Sequence, residues 1–280
     1  MVVTTSALRR WADLCTTDFP ALDPGRTVAV LPVAAIEQHG PHLPLSVDAD
    51  LVEGVLAAAC PHLPASCPAY LLPTQSVGLS PEHQRFPGTL TLRPETVLRL
   101  WTEIGESVAR AGVRKLLIFN SHGGHAGIMD MVARDLRTRL DLLVYSASWF
   151  NLPLLDERGH DLNARFSAAE HRFGIHAGQV ETSMMLALRP GTVRMELAQD
   201  FASTSQQRAE HYSILGNGRS AKLAWQMQDY HPRGAVGNAA AADAATGREL
   251  VEAAGRSLAR LLQELSELPL STLVERPDLS

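Results

Sequence analysis

The stretch AAIEQHGPHLPLSVD, residues 34–48, places Glu37, His39, His42 and Asp48 in a segment broken by one glycine and two prolines. Glu37 and His39 are two residues apart, so an extended backbone turns both side chains the same way. The intervening chain is long enough to fold Asp48 back onto them. A second polar loop, Asn120-Ser-His122-Gly-Gly-His125, follows the apolar run KLLIFN, and its two glycines let the backbone pass close to a site. Two carboxylates with two imidazoles suit Zn, Mn or Fe, because mixed nitrogen and oxygen sites accept all three. Taken singly, each residue has an ordinary explanation. A lone loop histidine is usually surface, and Asp48, just ahead of ADLVEG, would cap a helix. The joint pattern is harder to dismiss.

These loops need a frame that brings them together. TVAVLPV (27–33), a weaker run at 69–73, KLLIFN (115–120) and LLVYSAS (142–148) read as strands. Helical segments alternate with them. One runs from Ala49 to Cys60 and stops at Pro61. Another opens at Pro94 with Val97, Trp101, Ile104 and Val108 on one stripe. A third covers 128–140, and an Ala/Leu-rich helix covers 239–267. This rhythm predicts an α/β fold: a single domain over residues 1–280 with a mostly parallel central sheet and helices on both faces. In such sheets, sites form beyond the carboxyl ends of the strands, where both histidine loops lie. Residues 151–175 and 200–236 read as irregular excursions over a site or an oligomer interface.

The bulk composition removes several classes. The chain has 280 residues, of which 45% are apolar, and a formal charge of −5 with no basic block, which argues against a nucleic-acid partner. There is no long uncharged apolar run to cross a membrane and no signal-like N-terminal segment. Three sparse cysteines (Cys15, Cys60, Cys67) read as reduced thiols, so a cytoplasmic protein is expected. Eleven histidines are the unusual count, several of them in glycine-rich loops.

Four stretches, in order, resemble the creatininase (creatinine amidohydrolase) family. They are Glu37-Gln-His39-Gly-Pro-His-Leu-Pro with Asp48; EHQRFPGTLTL from Glu82; Asn120-Ser-His122-Gly-Gly; and His176-Ala-Gly-Gln-Val-Glu181-Thr-Ser. The resemblance implies a binuclear divalent-metal centre, hydrolysis of amide-like C–N bonds in small or cyclic substrates, and a homo-oligomer, often a hexamer. By this resemblance Glu37 and His122 would hold one ion, His39 the other, and Asp48 would bridge. His176 matches the family's proton-transferring histidine, and Glu181 is either a ligand or an acid that orients the substrate. Bound water at such ions has its pKa lowered to roughly 7, and an imidazole that titrates near about 6.5 is a suitable proton donor to a leaving nitrogen. Relatives also act as formamide deformylases or as peptidases on modified peptides.

One position departs from the pattern. Creatininase has a ligand glutamate two residues after the second-loop histidine, where this chain has Gly124. Glu181, water or substrate would then complete the second ion. Glu82 and His83 are expected to line the site from a third loop. His125 is a substitute ligand, a substrate contact or merely the start of the next helix. Trp149, followed by Phe150, is an aromatic wall against a flat substrate or else core. Two other classes compete: a metal-binding protein without catalysis, which the unligated pair His176 and Glu181 weighs against, and phosphoester or sugar chemistry, for which Arg85 is the available cation.

Overall fold

The computed structural model describes residues 8–276. Its centre is a five-stranded sheet made of β1 (Leu8–Arg10), β2 (Val28–Val33), β3 (Ala69–Leu71), β4 (Lys115–Asn120) and β5 (Leu143–Ser148). The order is β1-β3-β2-β4-β5 and every pair is parallel. Strands β2 and β4 are buried along their whole lengths, and their alternate residues feed two separate cores. Val28, Val30, Leu117 and Phe119 face one core; Ala29, Leu31, Val33, Leu116 and Ile118 face the other. Pro32 sits in the middle of the sheet at no cost to pairing. Its carbonyl accepts from Gln75 N, on the side where β3 has already ended at Leu71, so no ladder bond is lost.

Helices cover both faces, as the alternating pattern predicts. On one face lie α1 (Val47–Ala59), α5 (Gln179–Leu188) and α8 (Ala244–Glu267); on the other lie α2 (Pro94–Arg110) and α3 (Ala126–Leu140). Val97, Trp101 and Val108 bury the inner stripe of α2, and Ile128, Val132 and Leu136 that of α3. The expected tail helix starts later than Ala239, because the Asp243 carboxylate caps it by accepting from Ala245 N and Thr246 N at 2.9 and 2.8 Å. The regions read as irregular carry three short helices, α4 (Ala168–Phe173), α6 (Thr204–His211) and α7 (Met227–Tyr230), and the two-residue strand β6 (Asp200–Phe201), which pairs antiparallel with β7 (Gly237–Asn238) just beyond them. Strand β1 was not expected from the sequence. The three cysteines are free, and no helix among the described residues is long and apolar enough to cross a membrane.

Two contacts tie the far ends of the fold. Gly247 of α8 abuts α5 so closely that a Cβ there would collide with the Ser183 carbonyl. Lys115, at the start of β4, is fully buried, and its Nζ donates to the carbonyls of Leu265, Ser266 and Leu268 at 2.9, 2.8 and 2.6 Å. These are the unpaired carbonyls that every helix leaves at its C-terminus. Lys115→Met keeps the apolar stem but strands the three acceptors. It is expected to lower unfolding free energy by about 3–5 kcal/mol, measured as an earlier urea midpoint with an unchanged m-value.

Candidate metal centre

The register of the two central strands builds the site. Val33 of β2 pairs with Asn120 of β4, so the two histidine loops leave the sheet at the same level. From the first loop come Glu37 and His39; Asp48 follows in the first turn of α1, whose N-cap is Ser46. His122 enters from the second loop. All four are buried, at 1%, 0%, 2% and 4% exposure, which is unusual for charged groups without compensation.

The ring nitrogens are sorted by their outer contacts. His39 Nδ1 donates to the Glu37 carbonyl at 3.1 Å, which leaves the Nε2 lone pair facing the acids. His122 Nε2 donates to the Leu79 carbonyl at 3.1 Å, which leaves Nδ1 facing them. Nδ1 of His122 lies 3.3 Å from Glu37 Oε1 and 3.4 Å from Asp48 Oδ2, and Nε2 of His39 lies 3.7 Å from Asp48 Oδ1 and 3.9 Å from Glu37 Oε1. The two oxygens of Asp48 thus point to the two histidines separately. Ser80 Oγ donates to Glu37 Oε2 and leaves Oε1 to the site.

The donor set fits a cation. His39 Nε2 and Asp48 Oδ2 are buried with no hydrogen-bond partner among the described residues. The His122 Nδ1 separations of 3.3 and 3.4 Å match the edge of a tetrahedron with bonds of about 2.1 Å, and those of His39 Nε2, at 3.7 and 3.9 Å, are too long for hydrogen bonds. Burial, then the charge of Glu37, raises the Asp48 carboxyl above its usual range, against the pull of His122. Burial also raises Glu181 to about 7, with Asp48 adding to the shift against the opposing His176. His39 is held well below the ordinary imidazole value, first by burial and then by His176, so it stands neutral, the form that binds metal. Three sets can hold an ion: Glu37, His39 and His176; Glu37, Glu82 and His122; and His39, Asp48 and Glu181.

His176 and Glu181 arrive together at the start of α5. Ala177 between them takes φ 55°, a left-handed conformation that costs an alanine about 1–2 kcal/mol. Its N–H donates to Glu181 Oε2 at 2.6 Å, and Glu181 Oε2 stands 4.0 Å from His39 Nε2. His176 Nε2 donates to the Gln38 carbonyl at 2.8 Å, and Nδ1 lies 3.7 Å from Glu37 Oε1. His83 stacks beside His176 at 4.3 Å between centroids and puts Nε2 3.4 Å from Glu37 Oε1. Above the cluster opens a cavity of about 770 Å³ lined by Glu37, Asp48, His122, His176 and Glu181, with Glu82, His83 and Trp149 among its walls. Trp149 is only 2% exposed, and Phe150 beside it is 40% exposed.

His125, for which the sequence leaves a ligand, a substrate contact and the start of the next helix all open, does not line this cavity and is the N-cap of α3. It is fully buried behind His122; Nδ1 donates to Asn120 Oδ1 at 3.0 Å, Nε2 accepts from Leu79 N at 3.1 Å, and Trp101 packs edge-on to the ring. With both nitrogens taken, it supports the second loop. His42 similarly links its loop to α5, with Nε2 2.9 Å from Thr182 Oγ1.

Several residues went unread in the sequence. Gln38 Nε2 donates to His83 Nδ1 at 2.7 Å, so one residue touches both His83 and His176. Buried Glu170 accepts from Gln179 N at 2.6 Å and Asn238 N at 2.8 Å, which joins α5 to β7. Trp225, in a segment read as irregular, lies edge-on to His83 and lines the cavity. The EH pair before FPGT was the signal for the third loop; nothing local marked Glu170 or Trp225.

Comparison with known proteins bears on this site. The creatininase (creatinine amidohydrolase) family profile matches residues 12–262, and the chain belongs to that family. The mycofactocin precursor peptide peptidase of Mycobacterium tuberculosis is 33% identical over 173 residues, a match spanning 60% of this chain and 61% of that protein. The chain therefore spans about three-fifths of the length of this relative. The creatinine amidohydrolase of Pseudomonas putida is 28% identical over 197 residues, covering 63% of this chain and 70% of that one. A crystal structure from Bacteroides fragilis, assigned as a creatinine amidohydrolase, superimposes with a TM-score of 0.73 at 25% identity, covering 95% of this chain and 98% of that one.

Asn120 is the local hub. Its Nδ2 donates to the His122 carbonyl and to Ser148 Oγ at 2.7 and 2.9 Å, and its Oδ1 accepts from His122 N and His125 Nδ1, both at 3.0 Å. Asn120→Ala removes four buried hydrogen bonds and is expected to cost about 2–4 kcal/mol, read by equilibrium denaturation of the metal-stripped protein.

Proposed function

We propose that this chain is a divalent-metal-dependent amidohydrolase that cleaves an amide-like C–N bond. The observation that carries the reading is the pair of orphaned buried atoms, His39 Nε2 and Asp48 Oδ2, set among acids at the base of a large cavity. Glu37 and His122 would hold one ion, His39 and Glu181 the other, with Asp48 between them. Glu181 then does for the second ion what a side chain at 124 cannot. Bound there, zinc, manganese or iron supplies Lewis acidity that activates water at neutral pH and polarises a carbonyl.

The chain's own residues do the rest. His176 keeps Nε2–H on the Gln38 carbonyl, so Nδ1 is the atom that takes a proton from the attacking water and passes it to the leaving nitrogen, which returns the ring to its neutral form. Gln38 and His83 hold that ring in place. Trp149 and the edge of Trp225 exclude water and flank a planar amide. Among the described residues no lysine or arginine lines the cavity, and Arg85 lies exposed outside it, which favours an uncharged amide over a phosphoester.

A second reading concerns substrate size. A cavity of about 770 Å³ with the exposed apolar residues Phe150, Ile175 and Leu223 at its walls has room for more than a small ring, and suits the end of a peptide. A relative named as a peptide peptidase supports it. We also propose a cytoplasmic homo-oligomer, a hexamer by family resemblance; Tyr212, Ile214 and Leu215, each more than half exposed, offer apolar surface to another copy.

Chelation is expected to remove the metal, abolish hydrolysis and lower Tm, all restored by Zn, Mn or Fe. Glu37→Gln and His122→Ala should each lose metal, as measured by elemental analysis. Wild-type protein without stoichiometric metal would defeat the proposal. A screen of cyclic amides, formamides and short peptides identifies the substrate class. On a substrate so found, His176→Ala should lower kcat by about 10²–10⁴ with metal content unchanged; full turnover would remove His176 from proton transfer.

A further inference from the structure

The Glu82 carboxylate reaches His122 from the side away from Glu37 and Asp48. Its Oε1 lies 3.2 Å from His122 Nε2, whereas Nδ1 of the same ring faces Glu37 and Asp48. Nε2 also meets the Leu79 carbonyl at 3.1 Å. Both neighbours of Nε2 are acceptors that hold its proton in place, so Nδ1 is the nitrogen left to give up its proton and turn a lone pair to a cation. The room for this contact exists because residue 124 has no side chain: a Cβ there would collide with both Glu82 Oε1 and His122 Nε2. The turn that carries Glu82, Pro81–His83, is itself anchored, since Ser80 N donates to Thr91 Oγ1 at 2.8 Å.

We infer that Glu82 is a positioning residue: its carboxylate fixes the tautomer and orientation of His122 and makes Nδ1 a stronger donor to a divalent cation, and Gly124 is the gap that admits it. The inference rests on the metal-centre reading above. Carboxylates on the outer nitrogen of a ligand histidine have this effect, and their loss costs about 10–100-fold in metal affinity. The rival arrangement makes Glu82 a direct ligand with Glu37 and His122; the two differ in the number of ions bound.

The test is equilibrium dialysis of Co(II) against metal-stripped full-length wild type, Glu82→Gln and Glu82→Ala, with visible spectra of the loaded proteins. Glu82→Gln keeps the shape of the side chain and removes its charge, so it separates positioning from packing and stands if Glu82→Ala fails to fold. The expected result is the wild-type number of ions per chain, bound about tenfold more weakly in Glu82→Gln and about 10–100-fold more weakly in Glu82→Ala, with altered Co(II) absorption bands. Wild-type affinity in Glu82→Gln overturns the inference, because a space-filling role would survive the exchange. Loss of one ion also overturns it, in favour of direct ligation. Wild type that takes up no cobalt defeats the metal-centre reading itself, and the inference falls with it.

Discussion

Buried negative charge is the constraint on which the rest of the molecule depends. Glu37 and Asp48 are almost wholly removed from water, and a carboxylate in such surroundings is strongly disfavoured unless positive charge stands beside it. The nearby groups are imidazoles. Burial pushes His39, His83 and His125 down, towards neutrality, while His122 alone is driven up, its burial outweighed by Glu37, Asp48 and Glu82. One histidine cannot balance that many acids. The arrangement is a receptor for positive charge, and its neutral histidines present lone pairs rather than protons.

Holding such a receptor open takes rigid walls, and the parallel sheet supplies them. Because β2 and β4 end in register, neither histidine loop has to stretch to meet the other. Each is then pinned by its own backing: Ser80 on Glu37, the His39 contact to its own loop carbonyl, and the Asn120–His125–Trp101 stack behind His122. Glu181 and His176 come from a different direction, on the strained turn at Ala177. The centre is therefore a meeting of three independently braced segments.

Much of this was legible in the residues. Four strands, the long helices and the two-faced packing follow from hydrophobic period, and the ligand loops announced themselves as acids and histidines in segments too rich in proline and glycine to be core. The illegible parts share a cause: their partners are distant in sequence. Strand β1 is three residues long and gains its identity only by pairing with β3. His125 looks in sequence like one more site histidine, and only the positions of Leu79 and Trp101 turn it inward. Gly124 reads as a missing carboxylate until Glu82, from another loop, is found in the space. Glu170 shows no local motif, because what it binds is the backbone of two elements that fold beside it.

Glu181 stands on α5, and α5 lies against α8 through the bare backbone at Gly247. Gly247 lies in the first turn of α8 and faces the Ser183 carbonyl, two residues along α5 from Glu181. A side chain at residue 247 would push α5 off α8, so the packing of the last long helix is felt at the turn that carries His176 and Glu181.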